Sequence, residues 1–145
     1  MNWEKIKKSH YYKEPVEHIL APAIFDLKEY DNLYENQNNL SHQVWQEFDA
    51  KYKTGYEFLQ DIQDLNLNKE VICLWFFKDR SDRDAGVDID LSGKFITYSQ
   101  NTFLITESKE LKILKRKKFF PSRPALQIDL SKKVFDEITK SFKNG

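Results

Sequence analysis

Five aspartates, Asp79, Asp82, Asp84, Asp88 and Asp90, crowd into the stretch FKDRSDRDAGVDID (77–90). Carboxylates at this density are hard oxygen donors of the kind that hold Ca²⁺ or Mg²⁺. An EF-hand loop places acidic or Asn ligands at positions 1, 3 and 5, Gly at 6 and Glu at 12. Counted from Asp82, position 5 is Gly86 and position 12 is Gly93; counted from Asp79, positions 3 and 5 are Ser81 and Arg83. Neither register satisfies the loop, and the interleaved Lys78, Arg80 and Arg83 neutralise the field a cation needs. A Mg²⁺ nuclease would follow such an aspartate with an acidic-x-Lys pair on the next strand. The next strand-like segment, KFITYS (94–99), has none, and ESK (107–109) falls in a turn. Two readings stay open: a solvated loop of mutual ion pairs, or a rim of Asp and Arg that grips a charged partner.

Other reactive residues are sparse. His10, His18 and His42 show no i, i+4 pairing and have no cysteine nearby, so no zinc-site spacing is present. Ser81, Ser92 and Ser99 stand outside any G-x-S-x-G elbow, and no phosphate-cradling glycine loop occurs. The single cysteine, Cys73, lies inside an apolar run, where a thiol is expected to be buried and inert. No catalytic residue, metal site or cofactor is assigned, and the chain is expected not to be an enzyme. The best nucleic-acid candidate is the basic-aromatic segment 110–123, with Lys112, Lys115, Arg116, Lys117, Lys118 and Arg123 around Phe119 and Phe120. Such mixtures bind single strands by charge and stacking, although a pI of about 6.8 is low for a dedicated nucleic-acid domain.

At 145 residues the chain is long enough for one domain with a real core, and no linker, repeat or low-complexity tract divides it. A single domain over 1–145 is expected. The N-terminal stretch lacks the apolar run of a signal peptide, and no segment reaches about 20 apolar residues. The expected location is therefore cytoplasmic. Net charge is zero but segregated: residues 14–70 carry −8 and residues 107–145 carry +6. Such asymmetry points to a charged partner.

The elements that must position these residues follow from periodicity. Segment 2–12 suits a short helix with Trp3, Ile6 and Tyr11 on one side. Pro15 and Pro22 make 14–27 a short helix or turn and an extended stretch, and the Asn-rich DNLYENQNNLSH (31–42) reads as loop. Ser41 is a good N-cap for a helix through Val44, Trp45 and Phe48 that ends near Tyr52. A second helix is predicted from Thr54 or Gly55, with Phe58, Leu59, Ile62 and Leu65 on its inner face and Glu57, Asp61 and Asp64 outside. VICLWFFK (71–78) reads as a buried central strand. KFITYS (94–99), TFLITE (102–107), ELKILKRK (110–117) and PALQIDL (124–130) read as further strands. Gln100-Asn101 is expected to be a tight turn, and 110–117 a Lys-protected outer strand. Ser131 caps a last helix through Val134, Phe135, Ile138 and Phe142. The order predicts an α+β fold: N-terminal helices packed on an antiparallel sheet of about five strands, with a C-terminal helix.

Taken together, EHILAP, HQVWQEFDAKYKTGYEF, VICLWFFKDRSDRD and YSQNTFLITE resemble the immunity proteins of bacterial contact-dependent growth inhibition and related polymorphic toxin systems. The likeness covers most of the chain in size and order of elements, without one short signature. It implies a small cytoplasmic α+β protein that binds the C-terminal toxin domain delivered by a sister cell. Blockage would come from covering the toxin's active site or an adjacent surface. Such toxins are often nucleases with basic faces, which the −8 segment would attract. The candidate toxin-binding residues are Trp45, Tyr52 and Tyr56 beside Glu47, Asp49 and Glu57, with Asp79, Asp82 and Asp84 of the charged stretch. The basic C-terminal third would instead suit a toxin of opposite charge.

Overall fold

The structure is a computed structural model that describes residues 6–35, 56–77, 86–114 and 123–143. Among the described residues, two antiparallel sheets and two α-helices make an α+β fold. The strands are β1 (Tyr11–Tyr12), β2 (His18–Ala21), β3 (Tyr56–Leu59), β4 (Val71–Phe76), β5 (Gly86–Leu91), β6 (Lys94–Tyr98), β7 (Phe103–Glu107), β8 (Leu111–Ile113) and β9 (Ala125–Leu130). The helices are α1 (Leu27–Glu35) and α2 (Lys132–Lys143).

A six-stranded sheet runs β1-β2-β7-β4-β9-β3, and a three-stranded sheet runs β6-β5-β8. β4 stands inside the larger sheet, and every residue from Val71 to Phe76 is buried. The period-two geometry of a strand splits them between two cores. Val71, Cys73 and Trp75 join Ile19, Phe103, Ile105, Leu126 and Ile128 under α1 and α2, which contribute Tyr30, Leu33 and Phe135. Ile72, Leu74 and Phe76 meet Ile89, Leu91, Ile96, Tyr98 and Leu111 of the smaller sheet. The molecule is thus three layers, helices on sheet on sheet. Burial on both faces is why VICLWF is apolar without alternation.

The chain leaves the larger sheet after β4, makes β5 and β6 in the smaller one, returns as β7, crosses for β8 and returns again as β9. The expectation of about five strands in one sheet is corrected accordingly. Gln100-Asn101 does not close a hairpin, because β6 and β7 belong to different sheets. Asn101, at φ 62°, turns the crossing. Its side-chain Oδ1 accepts from the Phe25 amide (3.2 Å) and from Trp75 Nε1 (3.1 Å), while Nδ2 donates to the Phe25 carbonyl (2.7 Å).

Three helix assignments also change. The expected helix at 2–12 is, over its described part, a 3₁₀ turn (Lys8–His10) followed by β1. The expected loop at 31–42 begins as the second half of α1: Asp26 Oδ1 accepts from Glu29 N at 2.8 Å, and Tyr30 and Leu33 bury one side. The expected helix from 54 or 55 is β3 followed by a 3₁₀ turn at Ile62–Asp64, so Glu57, Asp61 and Asp64 share no helix face. The expected helix over 44–52 lies outside the described residues. The C-terminal helix is as expected, with Ser131 Oγ accepting from Val134 N at 3.2 Å.

Candidate functional site

β3 is an outer strand of the larger sheet and pairs with β9 in the register Tyr56↔Ile128, Glu57↔Gln127. Alternation sends Tyr56 and Phe58 against the helix-side core and leaves Glu57 exposed on the opposite side. There Gln127 is 5% exposed, and its amide is satisfied in both directions by one residue of the covering segment. Gln127 Oε1 accepts from Asn66 N (3.1 Å), and Nε2 donates to Asn66 O (3.0 Å). Two residues further along β9, Asp129 Oδ2 meets Lys69 Nζ at 3.2 Å. These contacts hold segment 60–70 over the sheet edge and leave a cleft of about 190 Å³ lined by Tyr56, Glu57, Asn66, Lys69, Gln127 and Asp129. Glu57 has no ion pair among the described residues. Two carboxylates, one ammonium and main-chain polar groups at an exposed edge suit hydrogen bonding to a cationic or amide side chain.

Of the nine residues assigned to toxin binding, Tyr56 and Glu57 fall on this cleft. Trp45, Glu47, Asp49, Tyr52, Asp79, Asp82 and Asp84 lie outside the described residues. Asn66, Lys69, Gln127 and Asp129 were not singled out from the sequence, because only the β3–β9 register brings 57 beside 127. Of the charged stretch, Asp90 is placed in β5, where its Oδ1 accepts from Gly93 N at 2.8 Å and shapes the β5–β6 turn. Among the described residues, no three His, Cys, Asp or Glu side chains gather as a metal-ion set, and no helix is long and apolar enough to cross a membrane.

Other reactive groups are held in internal contacts. Cys73 is fully buried, and burial pushes its thiol far above the ordinary range. His18 Nδ1 lies 2.7 Å from the Val16 carbonyl, which can only accept, so the proton sits on that nitrogen. Burial holds the His18 pKa below its usual value, the Val16 bond opposes this, and Lys94 lowers it further. Tyr11 donates to Glu17 Oε2 at 2.5 Å; burial, then that bond, pushes its pKa up to about 12. Glu17 also meets Lys143 Nζ at 2.8 Å. At the other end of α2, Lys132 bonds Glu107 and pairs with Asp136 at 3.1 Å. The Lys132 bond holds the Glu107 carboxyl below its usual range. Part of the basic C-terminal third is therefore engaged within the molecule.

A second exposed surface is the outer face of the smaller sheet. Phe95 of β6 is 58% exposed there, in register with Asp90 of β5, which is itself in register with the exposed Lys112 of β8. Lys112 and Leu114 are described members of the basic-aromatic segment 110–123; positions 115–122 lie outside the described residues. Phe95 was legible only as an alternating position of KFITYS. Comparison with family models, curated proteins and solved structures finds no match to this chain.

Proposed function

We propose that the chain is a non-enzymatic immunity protein that neutralises a cognate bacterial toxin domain, of the kind found in contact-dependent growth inhibition and related polymorphic toxin systems. The carrying observation is the solvent-facing acidity of residues 14–70: none of their described carboxylates is buried. Asp26, Asp31 and Glu35 are exposed on and beside α1, Glu57 is exposed at the cleft, and Asp64 and Glu70 are exposed on the segment that covers it. This charge lies on both sides of the larger sheet, and it attracts a basic partner at long range before short-range contacts form. A toxin nuclease with a basic substrate face is such a partner, and Glu57 supplies a carboxylate to a Lys or Arg at the cleft. Neutralisation follows from covering the toxin's substrate-binding surface and needs no chemistry from this chain.

The test is co-expression with the C-terminal toxin domain encoded directly upstream. Growth should be restored, and the purified proteins should form a stable 1:1 complex. Glu57→Lys should raise Kd about tenfold or more, largely through slower association at low salt. Cells that stay poisoned with both proteins present defeat the reading.

A second reading is a small single-stranded nucleic-acid-binding protein. It is favoured by Phe95 and Lys112 on the same open sheet face, an aromatic platform and a cation on the two strands that flank Asp90. It predicts salt-dependent binding of single-stranded oligonucleotides that weakens on Phe95→Ala. Absence of binding at low salt ends it.

A further inference from the structure

We propose that β6 pairs edge to edge with β6 of a second copy of this chain, antiparallel about Ile96, so that two three-stranded sheets become one of six. Among the described residues, four strands end the two sheets: β1 and β3 in the larger, β6 and β8 in the smaller. Proteins protect such edges by shortness, charge, proline or bulges. β1 is two residues long, β3 is four with Glu57 within it, and β8 is three with Lys112 at its centre. β6 is the longest at five residues, KFITY, has no proline, and carries its only charge at one end. The irregularity in the β5–β6 pairing is an extra residue on β5 between Gly86 and Ile89, which leaves β6 regular.

The direction of the free hydrogen-bonding groups follows from the turn. Leu91 and Lys94 flank a two-residue loop, Ser92-Gly93, in which both residues have positive φ (51° and 92°). This is the type I′ hairpin, closed by a hydrogen-bonded pair at its flanks. The amide and carbonyl of Lys94 therefore face β5, and by alternation those of Ile96 do too. Phe95 and Thr97 then present their N–H and C=O groups to the open side. The far side of β5 agrees: Ser92 N donates to Glu110 O at 2.9 Å, which places Leu91's own groups toward β6. Among the described residues, no strand pairs with the outer side of β6.

That edge is self-complementary. A two-fold axis at Ile96 sets Phe95 opposite the second copy's Thr97, twice, and each such pair exchanges both backbone hydrogen bonds. Lys94 falls opposite Tyr98, so no like charges oppose. On the outer face, the 58% exposed Phe95 ring gains a β-branched neighbour, a favourable cross-strand pair. Ile96 and Tyr98 stay in their own core, each 4% exposed, and need not move.

Light scattering and sedimentation over micromolar to near-millimolar chain concentrations test this, without any toxin present. The expected species is a dimer of the 17.4 kDa chain. Thr97→Pro removes an outward N–H from an edge strand while sparing the ladder to β5, and should leave a folded monomer. Thr97→Asp, which sets a carboxylate against the Phe95 ring of the second copy, is the companion variant should the proline disturb folding. Glu57→Lys should leave the dimer intact, which separates this edge from the proposed toxin cleft. A wild-type monomer at all concentrations overturns the inference, as does a dimer that survives both Thr97 variants.

Discussion

Asn101 does the work of a turn and of a buried polar cross-link at one position. It is 7% exposed, holds a φ that L-residues adopt only at a cost, and satisfies both main-chain groups of Phe25 as well as the Trp75 indole N–H. Asn101→Ala removes three buried hydrogen bonds and keeps the strained φ, and should cost about 3 kcal/mol in urea unfolding. Asn101→Gly relieves the backbone and should cost about 1 kcal/mol less. Equal losses would show that the left-handed backbone contributes nothing. His18 sets a pH dependence. Its pKa is lowered in the fold by burial, so as acidity rises the unfolded chain takes the proton first. Stability from this group is complete above the unfolded value of about 6.5 and falls as pH drops from there toward the lower folded value. His10 is shifted in the same direction, by burial and then Lys7, so wild type alone does not separate them. His18→Gln should flatten the slope of unfolding free energy between about pH 7 and pH 5; an unchanged slope assigns it elsewhere.

At the scale of elements, legibility tracked how many structures a pattern permits. VICLWF favours one, because an apolar run this short, bounded by charge and rich in β-branched and aromatic residues, suits a buried strand over a helix. The spacing of Phe58, Leu59, Ile62 and Leu65 permits two. In a helix all four share a face, whereas here Phe58 faces the helix-side core and Leu59 and Ile62 the sheet-side core. A strand followed by a 3₁₀ turn between two cores mimics helical spacing. The second half of α1 was hidden for a different reason. Asn32 and the Asn-rich sequence after Glu35 signal a loop by composition, but Tyr30 and Leu33 gain enough from burial under the sheet to override propensity. Of the cleft only Tyr56 and Glu57 were legible, since Gln127 reaches Asn66 only after β9 has taken its place beside β3. Gln127→Ala removes both bonds to Asn66 and should cost about 2 kcal/mol. Hydrogen exchange should quicken at Asn66 relative to wild type, while amides of β4 keep their protection. Uniform loss of protection would show that segment 60–70 is not held locally.

At the scale of the whole molecule, strands and fold class were readable, but their division between two sheets was not. Each strand reports only that it has a buried face, and no local pattern says which sheet supplies it. The three-layer arrangement makes Cys73 a reporter of the whole. Its thiol sits on a strand covered on both faces, so local opening does not reach it. Labelling by a thiol reagent should proceed only through global unfolding, with a free energy equal to that from urea denaturation. Labelling markedly faster than that would mean that one layer detaches on its own. The position of β9 has a further consequence, for biosynthesis. It lies between β4 and β3 and is the last described strand to leave the ribosome. At about 5–20 residues per second, β4 waits on the order of seconds with one edge open, and β3 has no described neighbour at all. The most apolar strand of the nascent chain is thus the one that most needs shelter from a chaperone until the ninth strand arrives.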